Sequence, residues 1–181
     1  MDKASERTAA PGAGPRTVKV TPTGDREIVI TRVLDAPRRL VYEAMTKPEH
    51  LKRWLIGPPG WTMDVCENDM KVGGTFRHAW HEEGGGSLAM HGTYREIVPN
   101  EKIVRTETFD MGCPGQAGEQ LATMRLTEAG GRTTVTIHVL FPSKEARDGM
   151  LQSGMEQGMN ASYGLLEEVL RSLASAARGG A

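Results

Sequence analysis

Residues 143–174 read SKEARDGMLQSGMEQGMNASYGLLEEVLRSLA, and within them Leu151, Met155, Met159, Ser162, Leu166, Val169 and Leu173 recur at intervals of three and four. That spacing lays one apolar stripe along a single helix face. Ser143 is a cap and Glu145 suits the first turn, so a helix is predicted to open after Pro142 and run to about Ala174. At about 1.5 Å per residue it is some 45 Å long, enough to cross a whole sheet. The stretch Trp61 to Phe141 supplies that sheet. There Gly73-Gly74, Gly84-Gly85-Gly86, Pro99-Asn100, the Gly112 to Gly118 stretch and Gly130-Gly131 separate β-rich runs at hairpin spacing. Six antiparallel strands are predicted, at about 61–70, 74–82, 87–98, 102–110, 119–128 and 132–141.

Upstream, Arg26 to Leu34 reads as a strand with Ile28, Ile30 and Arg32 on one face and Val29, Thr31 and Val33 on the other. Asp35 offers a cap and Pro37 a first-turn residue for a short helix ending near Thr46. Thr46-Lys47-Pro48-Glu49 has capping-box spacing and opens a second helix with Leu51, Trp54 and Leu55 on its apolar side, stopped by Gly57-Pro58-Pro59-Gly60. The fold class is therefore α+β: a curved antiparallel sheet of about seven strands around a long C-terminal helix, with two short helices after the first strand. A gap between sheet and helix would be a pocket.

The length of 181 residues fits one domain. Residues 1–25, rich in Pro, Gly and charge, are expected to form a flexible tail, residues 26–176 the globular domain and 177–181 a second flexible end. Lys plus Arg is 22 against Asp plus Glu 23, a net charge of −1, which argues against nucleic acid or anionic lipid as partner. No run of about 18 apolar residues and no secretory h-region is present, so a cytoplasmic, non-membrane protein is expected. Cys66 and Cys113 lack metal-type spacing and are expected as reduced thiols.

Several segments, taken in order, resemble the activator of heat-shock-protein-90 ATPase homologue-like domains of the START-like SRPBCC superfamily. They are Asp35-Ala36-Pro37-Arg38-Arg39-Leu40-Val41-Tyr42-Glu43-Ala44 with Thr46, Pro48, Glu49, Leu51, Trp54 and Gly57-Pro58, then Asp69 to Arg77, Gly92-Thr93-Tyr94-Arg95-Glu96-Ile97-Val98-Pro99, Thr106-Glu107-Thr108-Phe109, and Ser143 to Asp148 leading to Gly154-Met155 and Gly158. The resemblance covers about residues 26 to 174. It implies a helix-grip (Bet v-like) fold, an internal apolar cavity for lipid-, aromatic- or polyketide-like molecules, and a stress-related setting. The co-chaperone that gives the family its name carries a separate N-terminal chaperone-contacting domain, and no counterpart fits in the 25 residues before Arg26, which argues against chaperone activation.

His78, His81 and His91 invite a metal ion, but His78 and His81, three apart on a strand, point to opposite faces, so no metal site is predicted. Cys66 has no activating histidine or acid beside it, and the glycine clusters match no nucleotide-binding pattern, so neither a catalytic thiol nor a cofactor is expected. In strand 102–110, Ile103, Arg105, Glu107 and Phe109 share one face and Val104, Thr106 and Thr108 the other. The ordinary arrangement leaves the charges outside; if they lie inside, they mark a site.

The pocket is expected to be lined by Trp54, Phe76, His78, Trp80, Met90, Tyr94, Met155, Met159 and Tyr163, residues that suit a deformable apolar cavity with a few polar tips. The preferred function is binding of a small hydrophobic molecule there. The alternatives are a cyclase, hydratase or hydrolase using Glu107, Arg105, His78 and Tyr94, and a stress-related interaction domain, chaperone-linked or homodimeric through a sheet edge.

Overall fold

The computed structural model describes residues 15–57, 60–110 and 118–179. In chain order the elements are β1 (Lys19–Thr23), β2 (Glu27–Leu34), α1 (Arg38–Thr46), α2 (Pro48–Trp54), β3 (Trp61–Asn68), β4 (Thr75–Glu82), β5 (Ser87–Val98), β6 (Lys102–Asp110), β7 (Gln120–Ala129), β8 (Arg132–Leu140), α3 (Lys144–Gln152) and α4 (Met155–Gly179). The strands form an antiparallel sheet in the order β1-β2-β8-β7-β6-β5-β4-β3. Hairpins join β3 to β8 in succession, and the boundaries of these six strands match the glycine and proline punctuation to within two residues. The first long strand pairs with the last, Ile28 opposite Val139 and Ile30 opposite Ile137, while α1 and α2 carry the chain from β2 across to the far edge at β3.

α4 lies in the concave face of the sheet. Its Tyr163, Leu166, Val169 and Leu170 are buried in one cluster with Ile28, Ile30, Val135 and Val139 of the sheet and Val41, Ala44, Leu51 and Trp54 of the two short helices. A second cluster, Phe76, Trp80, Met90, Tyr94 and Ile103, occupies the β4–β6 end. Among the described residues, no helix is long and apolar enough to cross a membrane.

Four expectations change. The predicted single helix from Ser143 breaks in two, because Gly154 adopts a left-handed φ of 76° and ends α3 behind Ser153. Ser143 does cap α3, accepting from the Ala146 amide at 3.1 Å. The expected first tail is ordered in its second half: β1 pairs with β2, Val18 is buried, and the Val33 amide donates to the Pro15 carbonyl. That adds an eighth strand to the seven expected; residues 1–14 and Cys113 lie outside the described residues. α4 continues to Gly179, into the expected second flexible end.

Neither helix start uses the predicted side-chain cap. Thr46 instead donates its hydroxyl to the Tyr42 carbonyl at 2.7 Å, closing α1, and α2 begins at Pro48 with Lys47 in extended conformation. Asp35 pairs with Arg16 and Arg132, and the Arg38 amide finds Glu128 Oε2 on the neighbouring hairpin at 2.7 Å. Long-range partners thus replace the local ones.

Candidate functional site

Between the two apolar clusters lies a cavity of about 350 Å³, walled by members of both. The stripe on α4 explains where it sits. At the C-terminal half of the helix Leu166, Val169 and Leu170 pack solidly, whereas in the N-terminal half Met155, Met159, Ser162 and Tyr163 face the hollow. The sheet contributes Ile28, Ile30, Ala122, Met124, Ile137 and Val139, and α2 contributes Leu51 and Trp54. Most of this wall is apolar, so water inside would find few partners.

Of the nine residues expected to line the pocket, Trp54, His78, Trp80, Met90, Tyr94, Met155, Met159 and Tyr163 do so. Phe76 does not: it is buried behind the wall, its ring 5.2 Å from that of His78 and 5.6 Å from that of Tyr94. Tight packing with its strand neighbours keeps it in the second cluster. Sequence reading missed the contributions of Gln120, Phe141 and Trp61, among others. Gln120 opens β7, and only its pairing opposite Glu107 gives it a role.

The charged face of β6 points inward. Ile103, Arg105, Glu107 and Phe109 all line the cavity, and Glu107 is 7% exposed. Of the two arrangements the sequence leaves open, this is the less ordinary one, and the reason is pairing. Arg105 donates from Nε to Glu107 Oε1 at 2.9 Å and its Nη2 lies 2.7 Å from the same oxygen, while Gln120 Nε2 donates to Glu107 Oε2 at 2.9 Å. Both carboxylate oxygens are therefore occupied, and the buried acid has the partners its burial demands. The Phe76 ring covers one face of the guanidinium, its centroid 4.3 Å from Cζ. Burial works against the charge on Arg105, but Glu107 and then Tyr94 outweigh it and hold the pKa above its ordinary value. Thr106, on the opposite face, is also buried, its hydroxyl accepting from the Thr93 amide at 3.2 Å.

Tyr94 is buried, and its hydroxyl donates to Asn68 Oδ1 at 2.8 Å; Asn68 in turn donates to the Thr46 carbonyl at 2.6 Å, tying β5 through β3 to α1. The indoles of Trp54 and Trp80 are fixed by donation to the Ala44 and Leu55 carbonyls at 2.9 and 2.7 Å. Tyr163 stands edge-on to Trp54 with ring centroids 5.7 Å apart, and desolvation pushes its phenol up to about 12, so it is a hydrogen-bond donor at neutral pH.

His78 is 1% exposed, and neither ring nitrogen has a hydrogen-bond partner among the described residues. Burial first, and the nearby Arg105 second, lower its pKa to about 4, so the ring is neutral near pH 7. His81 points outward and pairs with Asp64 at 2.6 Å, and His91 is exposed, so the alternation argued from the sequence separates these imidazoles. Cys66 is half-buried, and burial raises its thiol pKa, which leaves it a poor nucleophile.

A family model described as "Activator of Hsp90 ATPase homolog 1-like protein" matches residues 35–171. The chain belongs to that family. The matched span begins just after β2 and ends inside α4, so every wall of the cavity except the β2 residues Ile28 and Ile30 falls within the family region. Solved structures share the family's helix-grip architecture. A protein from Rhodobacter sphaeroides is 26% identical with a TM-score of 0.79, covering 86% of this chain and 99% of its own. One from Chromobacterium violaceum is 28% identical with a TM-score of 0.66, covering 82% and 98%. One from Mycobacterium smegmatis, at 20% identity and a TM-score of 0.74 over 84% and 96%, shares the fold. Comparison with curated proteins gave no match.

Proposed function

We propose that this family member binds a small hydrophobic molecule in the hollow between the curved sheet and α4. The observation that carries the reading is the cavity itself: about 350 Å³ of largely apolar space, bounded by methionines and indoles that can adjust to a guest. A core without a ligand role closes such space, since voids lose packing contacts at about 24 cal/mol per Å³. Filling it is favourable mainly through apolar burial, at roughly 25 cal/mol per Å².

An apolar probe such as 1-anilinonaphthalene or a medium-chain alcohol, present at about 100 times its dissociation constant, is expected to raise the melting temperature by about 5 °C or more. Ala122, on the cavity wall, provides the control. In Ala122→Phe the new ring occupies the hollow, so the shift is expected to disappear while the fold, followed by circular dichroism, persists. Equal shifts in both proteins, or none across a broad panel, would remove the cavity as the binding site.

Catalysis in the same hollow is the second reading, favoured by Arg105 and Glu107 together on its wall. A guest identified by native mass spectrometry is then expected to be converted by the wild type and not by Glu107→Gln; unchanged turnover excludes Glu107 from the chemistry.

A further inference from the structure

We infer that the guest is an uncharged, oxygen-bearing apolar molecule whose oxygen accepts from the Tyr163 hydroxyl, and that the cavity rejects carboxylates. The inference rests on the cavity-binding reading and narrows it. Among the described residues that line the hollow, only Arg105 and Glu107 carry charge near neutral pH. Those two charges already satisfy each other: Arg105 reaches Glu107 Oε1 through two nitrogens, and Gln120 takes the remaining oxygen. The pair sums to zero, and the Phe76 ring further shields the guanidinium from one side.

A carboxylate entering this space would give up its hydration without meeting a free cation. It would also stand in the same low-dielectric hollow as the Glu107 carboxylate, and like charges there repel strongly. Arg105 would have to abandon a buried partner to receive it. A neutral oxygen faces none of these costs.

The donor for that oxygen is on the wall. Tyr163 is 3% exposed and lines the cavity, yet among the described residues its hydroxyl makes no hydrogen bond. Of the other buried polar tips, Tyr94 is committed to Asn68 and the Trp54 and Trp80 indoles to backbone carbonyls, and the two His78 ring nitrogens, which also lack partners among the described residues, are fully covered. An unpaired phenol inside an apolar wall gains a full hydrogen bond from a guest's carbonyl, hydroxyl or ether, and nothing from a plain hydrocarbon.

The test compares naphthalene, 2-naphthol and 2-naphthoate by calorimetry against the full chain at pH 7. The expected result is that 2-naphthol binds at least tenfold more tightly than 2-naphthoate. In Tyr163→Phe the affinity for 2-naphthol is expected to fall about tenfold while that for naphthalene stays unchanged. In Glu107→Gln, which frees the Arg105 charge, 2-naphthoate is expected to gain at least tenfold. Binding of 2-naphthoate to the wild type as tight as that of 2-naphthol overturns the inference and leaves the hydrophobic-binding reading standing. An equal loss for naphthol and naphthalene in Tyr163→Phe also overturns it. If none of the three binds the wild type, the cavity-binding reading fails, and this inference with it. The wild-type and Tyr163→Phe comparisons decide the matter even if Glu107→Gln does not fold.

Discussion

Gly92→Ala is expected to destabilise the protein by at least about 3 kcal/mol, or to prevent its folding, although it adds a single methyl group to a strand. A Cβ built on Gly92 would stand 1.8 Å from the carbonyl oxygen of Thr106 and 3.0 Å from a ring carbon of Phe76. The first neighbour is backbone, so no side-chain rotation relieves it. The position is one where the sheet curls: β5 pairs with β6 through His91–Thr108 and then Tyr94–Arg105, with a register shift just beyond at Tyr94–Glu96. The two backbones meet there more closely than a pleated pair allows a side chain. Relaxing the clash would flatten the curl that encloses the cavity. Gly164, on the exposed side of α4 with nothing within 4 Å of its hypothetical Cβ, is the internal control. Gly164→Ala is expected to stabilise by about 0.5–1 kcal/mol, through helix propensity and unfolded-state entropy. Urea unfolding of both variants checks the pair. Similar small effects at the two positions would show that the β5–β6 approach is not a constraint.

The second large effect is expected from acid. The folded His78 pKa, near 4, lies below the unfolded value near 6.5, so between those values the unfolded chain binds a proton that the folded chain refuses. Stability from this group is therefore complete above about pH 6.5 and falls as pH drops toward 4, by up to about 3 kcal/mol. His78→Leu keeps the volume and removes the titration. It also removes two buried nitrogens that lack partners among the described residues, so at pH 7 the variant is expected to be at least as stable as the wild type. Unfolding free energies measured at pH 7, 5.5 and 4.5 test this, because carboxylate titrations are common to both proteins and cancel in the difference. Parallel pH profiles would mean that the folded protein takes up the His78 proton as readily as the unfolded chain does.

How much of this was legible in the sequence depends on how local each signal is. The strand boundaries from β3 to β8 followed from glycine and proline pairs, which act through their own φ preferences wherever they stand. The helix at the C-terminal end followed from a stripe spaced in threes and fours. Gly154 belonged to that stripe's interior by spacing, and its left-handed conformation shows that a helix stop can sit inside an unbroken apolar pattern. The short segment Lys19–Thr23, with a proline at its fourth position, carries little strand signal of its own; β2 makes it a strand by offering a free edge.

The candidate site was legible as a set of residue types but not as an orientation. Alternation along 102–110 defined two faces and could not rank them, since the cost of burying Arg105 and Glu107 depends on a partner 13 residues away, Gln120, that only strand pairing brings opposite. Phe76 shows the converse: it shares a face with His78 and Trp80, yet neighbouring rings hold it behind the wall they form.

The sequence by itself determined the class of fold, the succession of elements from β2 onward apart from the break at Gly154, and which residues are apolar enough to enclose a hollow, because turn chemistry and periodicity are short-range properties of the chain. Only the tertiary structure decided that the hollow stays open, that a compensated ion pair lines it and that the Tyr163 hydroxyl has no partner among the described residues. Those features arise where distant strands and the last helix meet, and their energies are set by neighbours that no local pattern names.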